Sequence, residues 1–210
     1  MTDVKMGEPV IVHTKYGSLY MRHITNLSKD ACLGIVASRS LQPSSPTLVR
    51  IQSSCVLGEA FGSSECDCAA QIAMALERVT REDGVFVYVF EEGRGAGLER
   101  KLKAMRIQQD CSIDTDEAFR RLGMPADLRD YKFASGVITE LLGPNPRIIL
   151  MTNNPDKQIK LQENGIVVLA VESAVPPFIS SEALPELVTK KLKFGHTIPA
   201  KIVSDKISKT

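Results

Sequence analysis

AAQIAMALERVTREDGVFVYVF, residues Ala69 to Phe90, carries two patterns in succession. Ile72, Ala73, Leu76 and Val79 return at helical spacing, which puts them on one face of an amphipathic helix. Asp83-Gly84 ends that run, and Val85 to Phe90 follows as a short valine- and aromatic-rich stretch that reads as a strand. Upstream, alternating or β-branched runs predict strands at Pro9 to Thr14, Ser18 to Ile24, Cys32 to Ala37 and Thr47 to Ser53. Lys15-Tyr16-Gly17 and Gln42-Pro43-Ser44-Ser45-Pro46 supply turn chemistry between them. Downstream, helices are expected at Leu98 to Gln109, Thr115 to Leu122, Lys132 to Leu142 and Pro155 to Glu163, interleaved with strands at Arg147 to Thr152 and Ile166 to Val171. The fold class is mixed α/β.

No repeat, low-complexity tract or composition shift marks an internal boundary, so residues 1–210 are expected to form a single domain. Pro176-Pro177 closes the patterned region, and a Lys-rich tail from about residue 190, with little apolar periodicity beyond Phe194 and Ile198, is expected to fray. A chain of 210 residues with 43% hydrophobic content can bury one substantial core. Lys plus Arg (26) nearly cancels Asp plus Glu (25), which excludes the broad positive field of a nonspecific nucleic-acid binder and makes any phosphate site local. The opening MTDVKMGEPV has no basic segment followed by an apolar run, and no apolar run reaches the roughly eighteen residues of a membrane span. A cytoplasmic protein is expected. Five cysteines in a reducing compartment are ligands, nucleophiles or small core residues more often than disulfide partners.

Three of those cysteines, Cys55, Cys66 and Cys68, bracket a segment containing Gly58 and Gly62 that can fold the chain back on itself. Zinc bound by three protein groups keeps a fourth position for water, whereas a structural site closes with a fourth ligand, and no such ligand lies nearby in the sequence. An extended Cys-x-Cys would send its side chains to opposite faces, so the pair belongs in a turn entering the helix near Ala69, where the helix start favours thiolate. Spacing alone leaves open a catalytic zinc, a structural zinc closed by Cys32 or Cys111, and buried small residues.

Glu91-Glu92-Gly93-Arg94-Gly95-Ala96-Gly97-Leu98 lies between a predicted strand and a predicted helix, where backbone amides and an arginine can meet an anion. It is neither a P-loop nor a dinucleotide fingerprint, and three such glycines equally suit a flexible connection. Asp127 and Arg129 share a short loop, and Thr152-Asn153-Asn154-Pro155 follows a strand end with Lys157 opening the next helix. Strand ends are common ligand sites in α/β folds. Singly, these read as a surface ion pair and a helix cap; together they support an active-site hypothesis. His13, His23 and His196 fit ordinary packing or exposure.

Arg50-Ile51-Gln52-Ser53-Ser54-Cys55, Cys66-Asp67-Cys68-Ala69-Ala70-Gln71, Glu92-Gly93-Arg94, Asp127-Leu128-Arg129-Asp130 and Thr152-Asn153-Asn154-Pro155 together resemble GTP cyclohydrolase II in order and spacing. The resemblance runs approximately from Val12 to Val175, and His13-Thr14-Lys15-Tyr16-Gly17 is similar to the family's Thr-x-x-Gly opening. It implies that family's fold and an enzyme that opens the imidazole ring of GTP, releases formate and pyrophosphate, and forms the diaminopyrimidine nucleotide that starts flavin synthesis. It implies one zinc per chain on Cys55, Cys66 and Cys68, with a bound water attacking C8 of the guanine. Guanine recognition is implied for Gln71, and contact with nucleotide or magnesium for Arg50, Glu92, Gly93, Arg94, Thr115, Thr152 and Lys157. Asp127 resembles the proposed general base, and Arg129 the residue proposed to attack or polarise the α-phosphate. Electrostatic stabilisation suits Arg129 better, because a guanidinium stays protonated. A homodimer is implied.

Two departures stand out. The family's His-Ser-Glu-Cys is Gln52-Ser53-Ser54-Cys55 here, and Met105 stands where the family commonly has tyrosine. A thioether cannot donate a hydrogen bond. The expectation is therefore ring opening and pyrophosphate release that stalls before deformylation, giving a formamidopyrimidine ribonucleotide monophosphate. The complete reaction with formate release is the first alternative, and a non-catalytic zinc-stabilised nucleotide-binding module the second. Retained Asp127 and Arg129 argue against the module.

Overall fold

The computed structural model describes residues 4–26 and 31–202. These residues gather into two compact units, each assembled from separated stretches of chain. The first takes residues up to Ser53, Ile72–Phe90 and Asp130–Ala174; the second takes Ser54–Gln71, Glu91–Arg129 and residues from Val175 onward. The chain alternates between them, so no linker or composition shift in the sequence marks the division.

Among the described residues the first unit holds eight strands in one sheet: β1 (Val4–Met6), β2 (Val10–Thr14), β3 (Gly17–Asn26), β4 (Ala31–Ser38), β5 (Thr47–Ser53), β6 (Val85–Val89), β7 (Arg147–Met151) and β8 (Val167–Glu172). The order is β1-β3-β4-β6-β5-β7-β8, with β2 also pairing β3. The pairings among β1 to β4, and of β4 with β6, are antiparallel, whereas β5 pairs in parallel with β6 and β7, and β7 with β8. Alternation along each strand distributes side chains to two faces. Val85 and Val87 join Ile24, Val36, Val49, Ile51, Ile148 and Leu150 in one apolar cluster. That face is covered by helix α5 (Lys132–Leu142), through Val137 and Ile138, and by Leu161 of α6 (Pro155–Glu163). Phe86 joins Leu19, Ala37, Leu48 and Met151 in the other cluster, against Ala75 and Val79 of α2 (Cys68–Arg81). Truncating a fully buried residue such as Leu150 to alanine would cost about 2–5 kcal/mol.

The second unit carries α1 (Val56–Glu59), the first turn of α2, a 3₁₀ turn at Gly93–Gly95, α3 (Leu98–Cys111), α4 (Thr115–Arg121) and α7 (Leu184–Phe194). Its core is made of small residues, Ala96, Ala104, Ala118 and Ala126, around Phe119. Asp114 caps α4 by accepting from the Glu117 amide at 2.9 Å, and in the first unit Asn154 caps α6 ahead of Pro155. No described helix is long and apolar enough to cross a membrane.

Predicted elements match observed ones within a few residues. Three segments differ. β1 is only three residues long, too short for a pattern, and is held by pairing with β3. The four-residue α1 shows no helical period. The tail expected to fray from about residue 190 is instead helical through Phe194, with Leu187 and Ile198 buried among Ile179, Val188 and Ile202. Periodicity missed α7 because its inward face includes Glu186 and Lys190 as well as Leu187. Residues 203–210 of that expected tail lie outside the described residues.

Candidate metal and nucleotide site

Cys55 ends the segment before α1, Cys66 lies in the following loop and Cys68 opens α2. Their ligand atoms all lie within 4.8 Å of one another, with 3.7 Å between the sulfurs of Cys55 and Cys66. Gly58 makes room for them: a Cβ there would sit 2.7 Å from Cys66 Sγ and 3.5 Å from Cys55 Sγ. Cys32 and Cys111 are exposed and stand outside this group. Hydrogen bonding from Cys66 and Cys68 drives the Cys55 thiol far below its ordinary range despite burial, with help from Lys101. The same bonds push Cys66 and Cys68 up. The cluster thus favours one thiolate and retains protons that a cation would displace. Three soft ligands, a cleared space and, among the described residues, no fourth protein ligand in the group fit a thiophilic ion with an open position.

Lys101 of α3 places Nζ 3.2 Å from Cys55 Sγ and 2.7 Å from Glu92 Oε1. Burial opposes its charge, but the bond to Glu92 and the Cys55 charge win and raise its pKa. Glu92 also accepts from the amides of Val56, at 2.7 Å, and Gly93, at 3.2 Å, so it ties the glycine-rich loop to α1. Gly93, Arg94, Gly95 and Gly97 all adopt positive φ, and Arg94 does so as a non-glycine at φ 55°. Such a residue costs of order 1–3 kcal/mol and persists where its surroundings fix it. Here Arg94 accepts at its carbonyl from the Leu128 amide at 3.0 Å, pairs its Nη2 with Glu186, and lays its guanidinium 4.6 Å from the Phe194 ring centroid. Its Nη1 is buried without an acceptor among the described residues.

Thr115 opens α4 and donates its hydroxyl to Glu186 Oε2 at 2.8 Å while accepting from Gln108 at 3.1 Å. Gln71 donates to Asp67 Oδ2 at 2.5 Å, and Lys190 reaches Asp67 Oδ1 at 3.1 Å. Burial would raise Asp67 and Glu186, but Lys190 beside Asp67, and Arg94 and Lys190 beside Glu186, hold both carboxylates below their usual range. Asp127 accepts from Arg129 Nε at 2.9 Å and Nη2 at 2.5 Å. That fork outweighs burial and lowers the Asp127 pKa.

The first unit holds Arg50, Thr152 and Lys157. Arg50 is buried on β5 and donates twice to Gln52 Oε1, at 3.2 and 2.6 Å, and once to the Met151 carbonyl at 3.1 Å. Thr152 follows β7 and accepts from the Asn154 amide at 3.1 Å, while Lys157 donates to the Ile51 carbonyl at 2.9 Å. Arg50 thus lies midway along β5, whereas Thr152 and Lys157 follow the C-terminal end of its parallel neighbour β7.

A family model described as GTP cyclohydrolase II matches residues 9–173. The chain belongs to the GTP cyclohydrolase II family. Among its relatives, the riboflavin biosynthesis protein RibBA of Chlorobium phaeovibrioides is 44% identical over 156 residues, 73% of this chain and 37% of that one. RibBA of Bacillus cytotoxicus is 35% identical over 200 residues, 94% and 49% of the two chains, and RibBA of Endomicrobium trichonymphae 40% identical over 189 residues, 88% and 45%. The chain therefore spans less than half the length of these relatives. A solved structure, RibBX, a two-domain 3,4-dihydroxy-2-butanone 4-phosphate synthase from A. baumannii, aligns with TM-score 0.44 and 13% identity over 82% of this chain and 40% of that one, a likeness too low to bear on the site.

Against the family pattern, Gln52 in place of histidine takes up the Arg50 guanidinium. Met105 lies one helical turn after Lys101 and so shares the face of α3 from which Lys101 reaches Cys55. No sequence pattern marks Lys101, Glu186 or Lys190 as part of the site. Lys101 sits in the charged run Glu99-Arg100-Lys101-Leu102-Lys103, where nothing distinguishes a buried lysine from a solvated one. Asp67 carried a signal, since it lies between two candidate ligands.

Proposed function

We propose that this chain hydrolyses GTP with the aid of one zinc ion held by Cys55, Cys66 and Cys68, opening the imidazole ring at C8 and releasing pyrophosphate. The supporting observation is the group of three sulfurs within 4.8 Å, cleared by Gly58 and flanked by Lys101. Bound there, zinc supplies Lewis acidity, which brings the pKa of a water toward 7. Gln71, oriented by Asp67, reads the guanine edge. Glu92, Gly93, Arg94 and Thr115 contact the nucleotide and its magnesium, and the buried Nη1 of Arg94 is a donor ready for a ligand oxygen. Arg129 stabilises charge on the α-phosphate. While Arg129 grips Asp127 the carboxylate stays a weak base; a phosphate that draws the guanidinium away raises the Asp127 pKa and lets it accept a proton. The family resemblance assigns Arg50, Thr152 and Lys157 to the nucleotide, and also supports a homodimer and a cytoplasmic setting.

Complete turnover needs two hydrolytic events at C8, ring opening and then deformylation. A tyrosine hydroxyl at position 105 is suited to orient the second water or the formyl group, which is worth about 10²-fold or more in rate. Met105 fills the space without that hydrogen bond. The main product is therefore a formamidopyrimidine ribonucleotide monophosphate. Mass analysis of the GTP reaction mixture, with separate assays of formate and pyrophosphate, tests this reading. Pyrophosphate without formate supports it, and Met105→Tyr should then recover some formate. Stoichiometric formate from the unmodified chain establishes the complete reaction instead. Unchanged nucleotide despite tight binding establishes a binding module.

A further inference from the structure

Helix α7 lies beyond the region matched by the family model, which ends at residue 173. Glu186, Lys190 and Phe194 recur along it every four residues and form one stripe. Each member of the stripe ends on a group assigned above to the nucleotide, or on a direct neighbour of one. Glu186 takes Arg94 with one carboxylate oxygen and the Thr115 hydroxyl with the other, at 2.8 Å for Thr115. Phe194 stacks on the same guanidinium. Lys190 reaches Asp67, whose other oxygen holds Gln71. These contacts are shielded from water: the side chains of Asp67, Lys190, Arg94 and Glu186 are 2%, 15%, 16% and 21% exposed.

We infer that α7 is a working part of the nucleotide site, with Glu186 and Lys190 as positioning residues for Arg94, Thr115 and Gln71. Glu186 fixes two rotors at once. It pins Arg94 by Nη2, so that the planar guanidinium leaves Nη1 for a ligand, and it takes the Thr115 proton, so that this hydroxyl meets a further partner as an acceptor. Lys190 neutralises a nearly inaccessible carboxylate between two candidate metal ligands and leaves Asp67 free to orient the Gln71 amide. Preorganisation of this kind lowers the ordering cost of binding, so its loss falls on affinity more than on chemistry.

The inference rests on the GTP reading, and the experiment separates the two. Wild type, Glu186→Gln, Glu186→Asp, Lys190→Met and the exposed-face control Leu192→Ser are compared for binding of a non-hydrolysable GTP analogue, for kcat and KM, for zinc content and for thermal midpoint. Glu186→Gln should weaken analogue binding and raise KM about tenfold, the scale of one lost charge-assisted hydrogen bond, with kcat and zinc content much less affected. Glu186→Asp, still anionic, should recover part of that loss, which a purely structural role would not give. Lys190→Met should lower the preference for GTP over ATP, because its effect runs through Gln71. Leu192→Ser should match wild type. Unchanged binding and KM in both Glu186→Gln and Lys190→Met, in a wild type that handles GTP, would overturn the inference alone. Tighter binding in Glu186→Gln would also overturn it, showing that Glu186 competes with the ligand for Arg94. A wild type that neither binds nor converts GTP would overturn the GTP reading and this inference with it.

Discussion

Lys101→Met keeps most of the aliphatic stem and deletes an ammonium that lies 3.2 Å from Cys55 Sγ and 2.7 Å from Glu92 Oε1. Removing one partner of a buried ion pair costs 3–5 kcal/mol when water is excluded. Here the side chains of Lys101 and Glu92 are 21% and 13% exposed, and Glu92 keeps two backbone amides, so about 2–3 kcal/mol is expected. For a chain of this size that corresponds to a fall of roughly 5–10 °C in thermal midpoint. The effect on metal is separate. Three thiolates around a divalent ion carry a net negative charge, and the lost charge-assisted contact to Cys55 is worth about 1.5–3 kcal/mol, a ten- to hundredfold loss of zinc affinity. Chelator competition, followed by the appearance of the zinc–indicator complex, measures that loss beside a thermal melt. Lys101→Arg, which keeps the charge on a different geometry, should fall between. Wild-type zinc affinity and thermal midpoint in Lys101→Met would refute the claim that this cation supports the cluster.

Gly58→Ala should weaken zinc binding and expose the thiols to alkylation, because the new methyl would sit 2.7 Å from Cys66 Sγ; unchanged alkylation kinetics would contradict the cradle. Arg129→Ala should reduce pyrophosphate release by 10²-fold or more while sparing zinc content, as expected for loss of an electrostatic stabiliser. Loss of zinc with normal pyrophosphate release would reverse that assignment. The folded-state pKa of Glu186 is depressed by Arg94 and Lys190 against burial, so its stabilisation is present above the unfolded carboxylate pKa of about 4.3 and disappears as pH falls through the folded value. Denaturant unfolding of wild type and Glu186→Gln should therefore differ at pH 7 and converge on acidification, and a pH-independent gap would show that the charge is not involved.

Strand and helix positions were legible because the first unit obeys simple periods: valines alternate along β6, and α2 turns an apolar stripe toward the sheet. The three cysteines were legible as a group because their spacing is chemically unusual and Gly58 and Gly62 allow the chain to return. The division into two units was not, since each is stitched from separated stretches. The charged lining was not legible either. A buried lysine such as Lys190 differs from a solvated one only in what lies opposite, here Asp67 more than a hundred positions away. Helical periodicity detects apolar stripes, and the stripe of α7 that matters is acid, base and aromatic.

The proposed opening of a guanine ring with zinc held by Cys55, Cys66 and Cys68 is decided by mass analysis of GTP incubated with magnesium and with zinc-loaded wild type, metal-stripped wild type or zinc-treated Cys66→Ser. The expected result is one zinc per wild-type chain and a ring-opened nucleotide monophosphate with pyrophosphate from the loaded protein, but no ring opening from the stripped protein or from Cys66→Ser, whose fold is otherwise retained. Full ring-opening activity in the metal-stripped protein would contradict it.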